Sequence, residues 1–600
     1  MKYTLITLLF ILACSVFATA QKNTNPRAQW FVDSRYGMFI HWGVYSGAEG
    51  YWKGEKLRDN NNYAEWIYYR NRIEKEEYVT LLDRFDWDRI DPEEWVILAK
   101  KAGMKYLTFT AKHHDGFALW DSDVSDYDVA DYTNPSRDIV KELSQACKKH
   151  GIKFGLYYSH WVDWAHPYGW DHTREIYELP KEKYDQYWQE KVIPQMRELL
   201  TKYGNIDMIW FDMWIHHSDA IVTKEQLMQL KNLIRELQPN CLVNSRLGLS
   251  MEEDSDIDFK TLGDNQLGDQ KADFPWQSPA TVSHSWGYHR TDTEWKSIST
   301  LLQSLIGNVS LNGNFMLNIG PRADGTVPHE MKQRLLEIGQ WLNVNGESVY
   351  GASAFDLPKD QHDWGRITKK QMPDGGTRLY LHLFNWPYNE KLNVTGVTSQ
   401  PEKIYMLSDK QENGLEYEHN GAITTVQLPE LKTNPYVPVV VVEYEGYPGI
   451  KQGLVARTIS GGFSLTPDNA GSMEGETTVM PAKKRGSIPS HLRIQEKSLF
   501  NWRIYVNEPK TLQADVSCSF QGERPAGRIK FAAAGSSVEH EVKPTGMTVG
   551  EPNSDWHIKS FESQDLGKIN FPEAGFYDIS LKIDPEDEPI DFQWLWLKEP

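Results

Sequence analysis

The sequence predicts an α/β fold, a (β/α)8-type (TIM-like) barrel followed by C-terminal β-sandwich domains. Three observations carry that reading. From Gly37 onward short apolar runs alternate with amphipathic stretches, the mark of parallel strands covered by helices. Several of those stretches stop at a glycine, Gly103, Gly151 or Gly204, suited to the position just past a helix end. After Gly351 the helical period gives way to short alternating strands with turn signals such as Asp374-Gly375-Gly376.

In chain order the candidate barrel strands are 38–42, 106–111, 154–159, 208–212, 242–246, 257–262, 281–286 and 315–319. Helical periods cover 92–102, 137–150, 184–203, 224–237 and 294–306, and 328–346 closes the barrel. The domain reading is a signal peptide at 1–20, a catalytic barrel at 21–351, a β-sandwich at 352–447 and a second β-rich domain at 462–600. The glycine-rich 446–462 marks the last boundary, and the final domain is a candidate for carbohydrate binding. Strands are expected there at 502–506 and 576–583, and alternating Trp594-Leu595-Trp596 reads as one face of a core strand.

Composition narrows the function. With 23 Trp and 29 Tyr the aromatic share reaches 12%, which points toward carbohydrate binding, since flat rings stack on sugar faces, although large cores also use Trp. A net charge of -19 repels nucleic acid and anionic membrane surfaces, and no basic block offsets it. Lys2, the apolar run 5–13 and Ala18-Thr19-Ala20 before Gln21 predict a secretory leader cleaved after Ala20, hence a periplasmic or extracellular protein. The alternative is a lipid anchor at Cys14, from Ile11-Leu12-Ala13-Cys14. No other stretch approaches the ~20 apolar residues of a membrane span. Cys147, Cys241 and Cys518 are too few and too scattered for a disulfide framework or a zinc site, so neither metal nor cofactor is expected.

Barrels of this kind place their chemistry where strands end. Here His41-Trp42, His113-His114-Asp115, Tyr157-Tyr158-Ser159-His160, Trp210-Phe211-Asp212 and Asn244-Ser245-Arg246 close five successive candidate strands. Each has an ordinary reading: Asp212 as a helix cap, the histidine pair as backbone-bonded, Arg246 as a loop salt bridge, the tryptophans as packing. Five in succession favour a site.

Several strings then resemble the α-L-fucosidases of glycoside hydrolase family 29. They are Arg35-Tyr36-Gly37-Met38-Phe39-Ile40-His41-Trp42-Gly43, Lys112-His113-His114-Asp115-Gly116-Phe117, Trp210-Phe211-Asp212, Ser285-Trp286-Gly287-Tyr288 and Asn314-Phe315-Met316-Leu317-Asn318-Ile319-Gly320-Pro321. The resemblance covers about residues 30–350 and keeps the family's order. It implies a retaining, exo-acting hydrolase that releases terminal α-L-fucose from a fucosylated oligosaccharide or polysaccharide, with Asp212 as nucleophile. It also implies that His41, Glu65, Trp66, His113, His114, Tyr158, Trp210, Arg246 and Trp286 hold the sugar. The family's acid/base glutamate is missing: in Gly263-Asp264-Asn265-Gln266-Leu267-Gly268-Asp269-Gln270 a gapless match puts Asp269 there, with Asp264 and Asp273 as competitors. A glutamate often found before Ser-Trp-Gly-Tyr is replaced by Gln277, which cannot act as an acid. That change leaves two alternatives open, an α-L-galactosidase on the same scaffold and a carbohydrate-binding protein without turnover. The oligomeric state is not legible.

Overall fold

The computed structural model describes residues 24–58, 62–171, 178–481, 488–522, 524, 527–549, 558–586 and 588–599. The expected leader, its cleavage point and Cys14 lie outside the described residues. The chain forms two compact units, one running to Ala352 with Lys370–Gly376 added, the other made of Ser353–Lys369 and Thr377–Pro600.

In the first unit eight parallel strands form one curled sheet: β1 Tyr36–Ile40, β2 Tyr106–Lys112, β3 Lys153–Tyr158, β4 Met208–Phe211, β5 Leu242–Val243, β6 Lys260–Thr261, β7 Trp276–Thr281 and β8 Asn314–Ile319. Their order is β5-β4-β3-β2-β1-β8-β7-β6. The two edges meet through a parallel bridge between Asn244 and Phe259, flanked by Ser245 N–H to Phe259 O and Asp258 N–H to Val243 O, each 2.9 Å. Closure removes the open edges that an isolated sheet would expose. The interior is packed by Phe39, Tyr106, Tyr157, Met208, Trp210, Phe259 and Met316.

The covering helices are α1 Pro92–Lys101, α2 Ile139–His150, α3 Ile193–Lys202, α4 Lys224–Leu237, α5 Ile298–Val309 and α6 His329–Asn345. α4 starts on a capping box in which Thr223 and Gln226 satisfy each other's backbone amides. α2 ends at Gly151, whose left-handed φ of 71° costs a residue without Cβ nothing. Three expectations are corrected. The helix read over 184–203 is interrupted: Lys181–Tyr187 and α3 are joined by a wide π turn at Trp188–Val192, because Pro194 has no N–H to donate back. The seventh strand is Trp276–Thr281 rather than 281–286. Among the described residues no long helix follows β5 or β6, so the barrel is an incomplete (β/α)8.

The second unit is antiparallel. Ser353–Ala354, Gly365–Gln371, Thr377–Leu383, Val439–Tyr444 and Lys403–Met406 form one sheet, and Lys391–Thr395, Ile423–Gln427 and Tyr417–Asn420 another, over a core that includes Trp364, Leu381, Val394 and Val442. A further pair of sheets, including Ser498–Val506, Lys510–Phe520, Gly575–Pro585 and Ile590–Lys598, encloses a separate core with Trp502, Leu595 and Leu597. The core reading of Trp594 and Trp596 is overturned by this alternation. Leu595 and Leu597 point inward, and Trp596 is 37% exposed on the other face. All three described cysteines are buried and unpaired.

Candidate active site

A cavity of about 420 Å³ opens at the C-terminal ends of the barrel strands. Phe39, His41, Tyr63, Glu65, Trp66, Arg70, His113, His114, Tyr157, Trp210, Asp212, Trp214, Arg246, Gly263, Asp264 and Trp286 line it. His41 follows β1, the histidine pair follows β2, Asp212 follows β4, Arg246 follows β5 and Asp264 follows β6. Nearly all of the expected set is thus brought together.

Asp212 is held through both carboxylate oxygens. Tyr157 donates its hydroxyl to Oδ2 at 3.0 Å, and Arg246 donates Nη1–H to Oδ1 at 2.7 Å. Trp161 fixes the backbone by donating Nε1–H to the Asp212 carbonyl at 2.9 Å. The other arm of Arg246 donates to Leu262 O at 2.7 Å and to Asp264 Oδ1 at 2.8 Å, so one guanidinium bridges two carboxylates. Burial works against the charge of Arg246, but Asp264 and Asp212 outweigh it and hold the guanidinium further above its ordinary value.

The histidines are set by neighbours that fix which nitrogen carries the proton. Asn318 donates Nδ2–H to Trp286 O at 2.7 Å and presents Oδ1 to His41 Nδ1 at 2.7 Å. The network therefore places a proton on His41 Nδ1 and leaves Nε2 as an acceptor. Burial pulls the His41 pKa down to about 4 despite that bond, so the ring is neutral near pH 7. Ser159 donates to Val162 O and accepts from His114 Nδ1 at 2.7 Å, while His114 Nε2 stands 3.6 Å from Asp212 Oδ2. His113 stacks on Tyr157 with rings 5.4 Å apart, and burial, then the adjacent His114 and His41, push its pKa well below the ordinary value.

Two loops are tied together beside these rings. Ala64 N–H donates to Ser285 Oγ at 2.9 Å, Ser285 donates to Gly287 O at 2.7 Å, and Gly287 N–H donates to Glu65 Oε2 at 2.8 Å. Glu65, Trp66 and Trp286 thereby enter the cavity from opposite sides of one seam. Gly320 makes the approach possible, because a Cβ there would meet the Trp286 carbonyl at 2.7 Å. Beneath the histidine loop lies a buried ion cluster, with Asp163 Oδ2 at 3.2 Å from Lys112 Nζ and 2.8 Å from Lys191 Nζ. Burial disfavours the Asp163 charge, but the two lysines prevail and hold its pKa well below the usual carboxylate range.

Three sequence expectations do not reach the cavity. Tyr158 points to the outer side of the sheet, where it donates to Gln195 Oε1 at 2.9 Å; side chains alternate along a strand, and Tyr157, in register with Trp210, takes the inward position. Asp269 and Asp273 lie on the return from the end of β6 to the start of β7, which no helix spans. By Gly268 that segment already packs against Trp276, the first residue of β7, and Gly268 N–H donates to Asn308 at 3.2 Å. Asp269 is accordingly exposed away from the lining. Gln277 is buried inside the barrel, accepting from Trp210 Nε1 at 2.8 Å and donating to Tyr106 OH at 2.8 Å, as part of the packing under the site. The residues missed are Phe39, Tyr63, Arg70, Trp214 and Gly263, while Tyr157 is read at a strand end with no role given to it. Period-2 spacing from His41 could have found Phe39.

A family profile described as alpha-L-fucosidase matches residues 15–347. An alpha-L-fucosidase of Dictyostelium discoideum is 29% identical over 446 residues, covering 70% of this chain and 93% of that protein. The tissue alpha-L-fucosidase of Bos taurus is 28% identical over 421 residues, covering 68% and 86%. Among solved structures, an alpha-L-fucosidase from Vibrio sp. strain EJY3 superposes with a TM-score of 0.72 at 26% identity, over 96% of this chain and 98% of that one. An enzyme from Bacteroides thetaiotaomicron, trapped as a covalent intermediate with 2-fluoro-fucosyl fluoride, superposes with a TM-score of 0.62 at 28% identity, over 70% and 96%. On the family match and the site geometry together, this chain belongs to the alpha-L-fucosidase family of glycoside hydrolases.

Proposed function

We propose that Asp212 is the nucleophile and Asp264 the acid/base of this hydrolase, on the single observation that one guanidinium, Arg246, gathers both carboxylates in the cavity lining; because that cation favours the ionised form, Asp264 must release Arg246 when it takes up the proton it donates. The chain releases terminal α-L-fucose from fucosylated glycans with retention of configuration. In the first displacement an Asp212 oxygen attacks the anomeric carbon while the acid gives a proton to the leaving oxygen. In the second, the same acid residue takes a proton from water, and the resulting hydroxide displaces Asp212 from the glycosyl-enzyme. Neutral His41, with Nε2 as acceptor, suits a sugar hydroxyl. The aromatic floor of Phe39, Tyr157, Trp210 and Trp286 suits an apolar face and closes one end, as an exo-acting pocket requires. The relatives named above are alpha-L-fucosidases, which supports fucose as the sugar released.

Asp264→Asn and Asp269→Asn test the acid assignment. The first should spare aryl fucosides with good leaving groups but slow poor ones by about 100-fold or more, and azide should yield an α-fucosyl azide. The second should match the wild type. The reverse pattern transfers the acid role to Asp269. We also infer export, periplasmic or extracellular, from the leader composition. A mature N-terminus at Gln21 supports that reading, and lipid carried on Cys14 replaces it with anchoring.

A further inference from the structure

Outside the cavity lining, the loop after β4 carries His216 and His217, and the segment after β5 carries Glu253. His216 Nε2 lies 3.3 Å from Glu253 Oε2, and His217 Nε2 lies 2.9 Å from Glu253 Oε1. One donor atom from each of the three residues falls within 4.8 Å of the others. Both imidazoles thus present the same ring nitrogen to one carboxylate. Outer partners set two of the three: His216 Nδ1 faces Ser218 Oγ at 3.0 Å and accepts from Ser218 N–H at 3.3 Å, and Glu253 is held by Ser250, whose N–H donates to Oε2 at 2.9 Å and whose Oγ accepts from Glu253 N–H at 3.2 Å. Two imidazole nitrogens and a carboxylate with such outer partners are the donor set of a zinc site, which asks for bonds of about 2.0–2.2 Å. The His216 side chain is 48% exposed, so water can complete the coordination.

We propose that His216, His217 and Glu253 bind one divalent transition-metal ion of the zinc class, clamping the loop after β4 to the segment after β5. Each imidazole binds as the neutral ring with Nε2 on the ion and its one proton on Nδ1, which at His216 turns to Ser218 Oγ; an imidazolium gives up its second proton to solvent, and the ion displaces Lys224, whose Nζ stands 3.8 Å from Glu253 Oε1. Those same segments carry Asp212 and Arg246, so the clamp is a positioning device that adds nothing to the chemistry itself. An imidazole–carboxylate ion-pair cluster is the competing reading, and it binds no metal.

The test titrates the chelator-stripped full chain with zinc chloride by calorimetry and with cobalt chloride by visible absorption. One zinc per chain is expected, with a raised melting temperature and the cobalt bands of an imidazole–carboxylate site. His217→Ala and Glu253→Gln should each weaken binding at least tenfold and abolish the zinc-dependent rise in melting temperature, with unchanged circular dichroism. Absence of stoichiometric binding, or binding that survives both substitutions at wild-type affinity, overturns the proposal. Neither readout depends on fucoside turnover.

Discussion

Arg246 donates to Asp212 Oδ1 at 2.7 Å while its other arm reaches Asp264 Oδ1 at 2.8 Å, so two carboxylates of the cavity lining share one fixed cation. A lysine carries the charge but has no planar fork and can serve only one of them well. Arg246→Lys should therefore lower kcat/KM for an aryl fucoside by about 100-fold with the fold intact. A loss below threefold would show that the bridge does not organise the site.

The neighbouring tyrosines should separate cleanly. Tyr157→Phe removes the hydroxyl donated to Asp212 Oδ2, a charge-assisted bond of about 1.5–3 kcal/mol, and should reduce kcat/KM by about 10- to 100-fold. Tyr158→Phe leaves Gln195 Oε1 short of a buried donor and should cost about 1–3 kcal/mol of stability with turnover near wild type. Steady-state kinetics and urea unfolding on the pair check the strand-face assignment. Equal kinetic losses would contradict it.

Stability should depend on pH in two opposed ways. Burial lowers the His41 pKa to about 4 from an ordinary value of 6.5, so as pH falls through that window the unfolded chain takes up a proton first. Stability is then lost with falling pH, by up to about 3 kcal/mol for this group. Asp115 is pushed up to about 6 by burial, against the bonds from Tyr78 and Phe117 N–H, so the native state takes its proton first and stability is lost as pH rises from about 4 to 6. Unfolding free energies at pH 4, 5, 6 and 7 should show a flatter acid-side loss in His41→Gln and a steeper one in Asp115→Asn. Parallel curves for all three proteins would refute both assignments.

The buried cluster under the histidine loop should matter through charge balance. Asp163→Asn takes from fully buried Lys112 and from Lys191 the carboxylate they share, leaving Asp115 as the remaining nearby anion of Lys112, and should destabilise the chain by about 3–5 kcal/mol. Gly116 approaches so closely that a Cβ would meet Asp163 Oδ1 at 2.2 Å, so the histidine loop should loosen as well. Chemical unfolding measures the first effect and amide exchange at 113–117 the second. A change below 1 kcal/mol would remove the cluster from the account.

Where local signals agreed, the sequence was legible. The bounds of α4 are legible because a capping box and a clean helical period coincide, and polar residues mark the ends of β1, β2 and β4 to within two residues, whereas the strand expected over 242–246 stops at Val243, where a turn begins at Ser245. Expectations failed where tertiary context decides. β7 contains Gln277, Ser278 and Pro279, which hide a strand from any apolar pattern, yet Gln277 is needed there by the polar string that joins Trp210 and Tyr106 inside the barrel. Choosing Tyr157 over Tyr158 requires the register with β4. Displacing Asp269 requires knowing that the chain runs back along the barrel without a helix, a path that counting residues from Gly263 cannot reveal.

The assignment of Asp212 as nucleophile is tested most directly by the product formed when Asp212→Asn acts on an activated aryl fucoside in the presence of azide. Loss of nearly all turnover without azide is expected, since the substitution removes the attacking oxygen with little change of volume. Azide should then restore activity and give a β-fucosyl azide, because the anion enters from the face the carboxylate has vacated. A variant that keeps more than a tenth of wild-type turnover without azide, or one that yields only the α-azide, would contradict the assignment and with it the retaining mechanism built on Asp212.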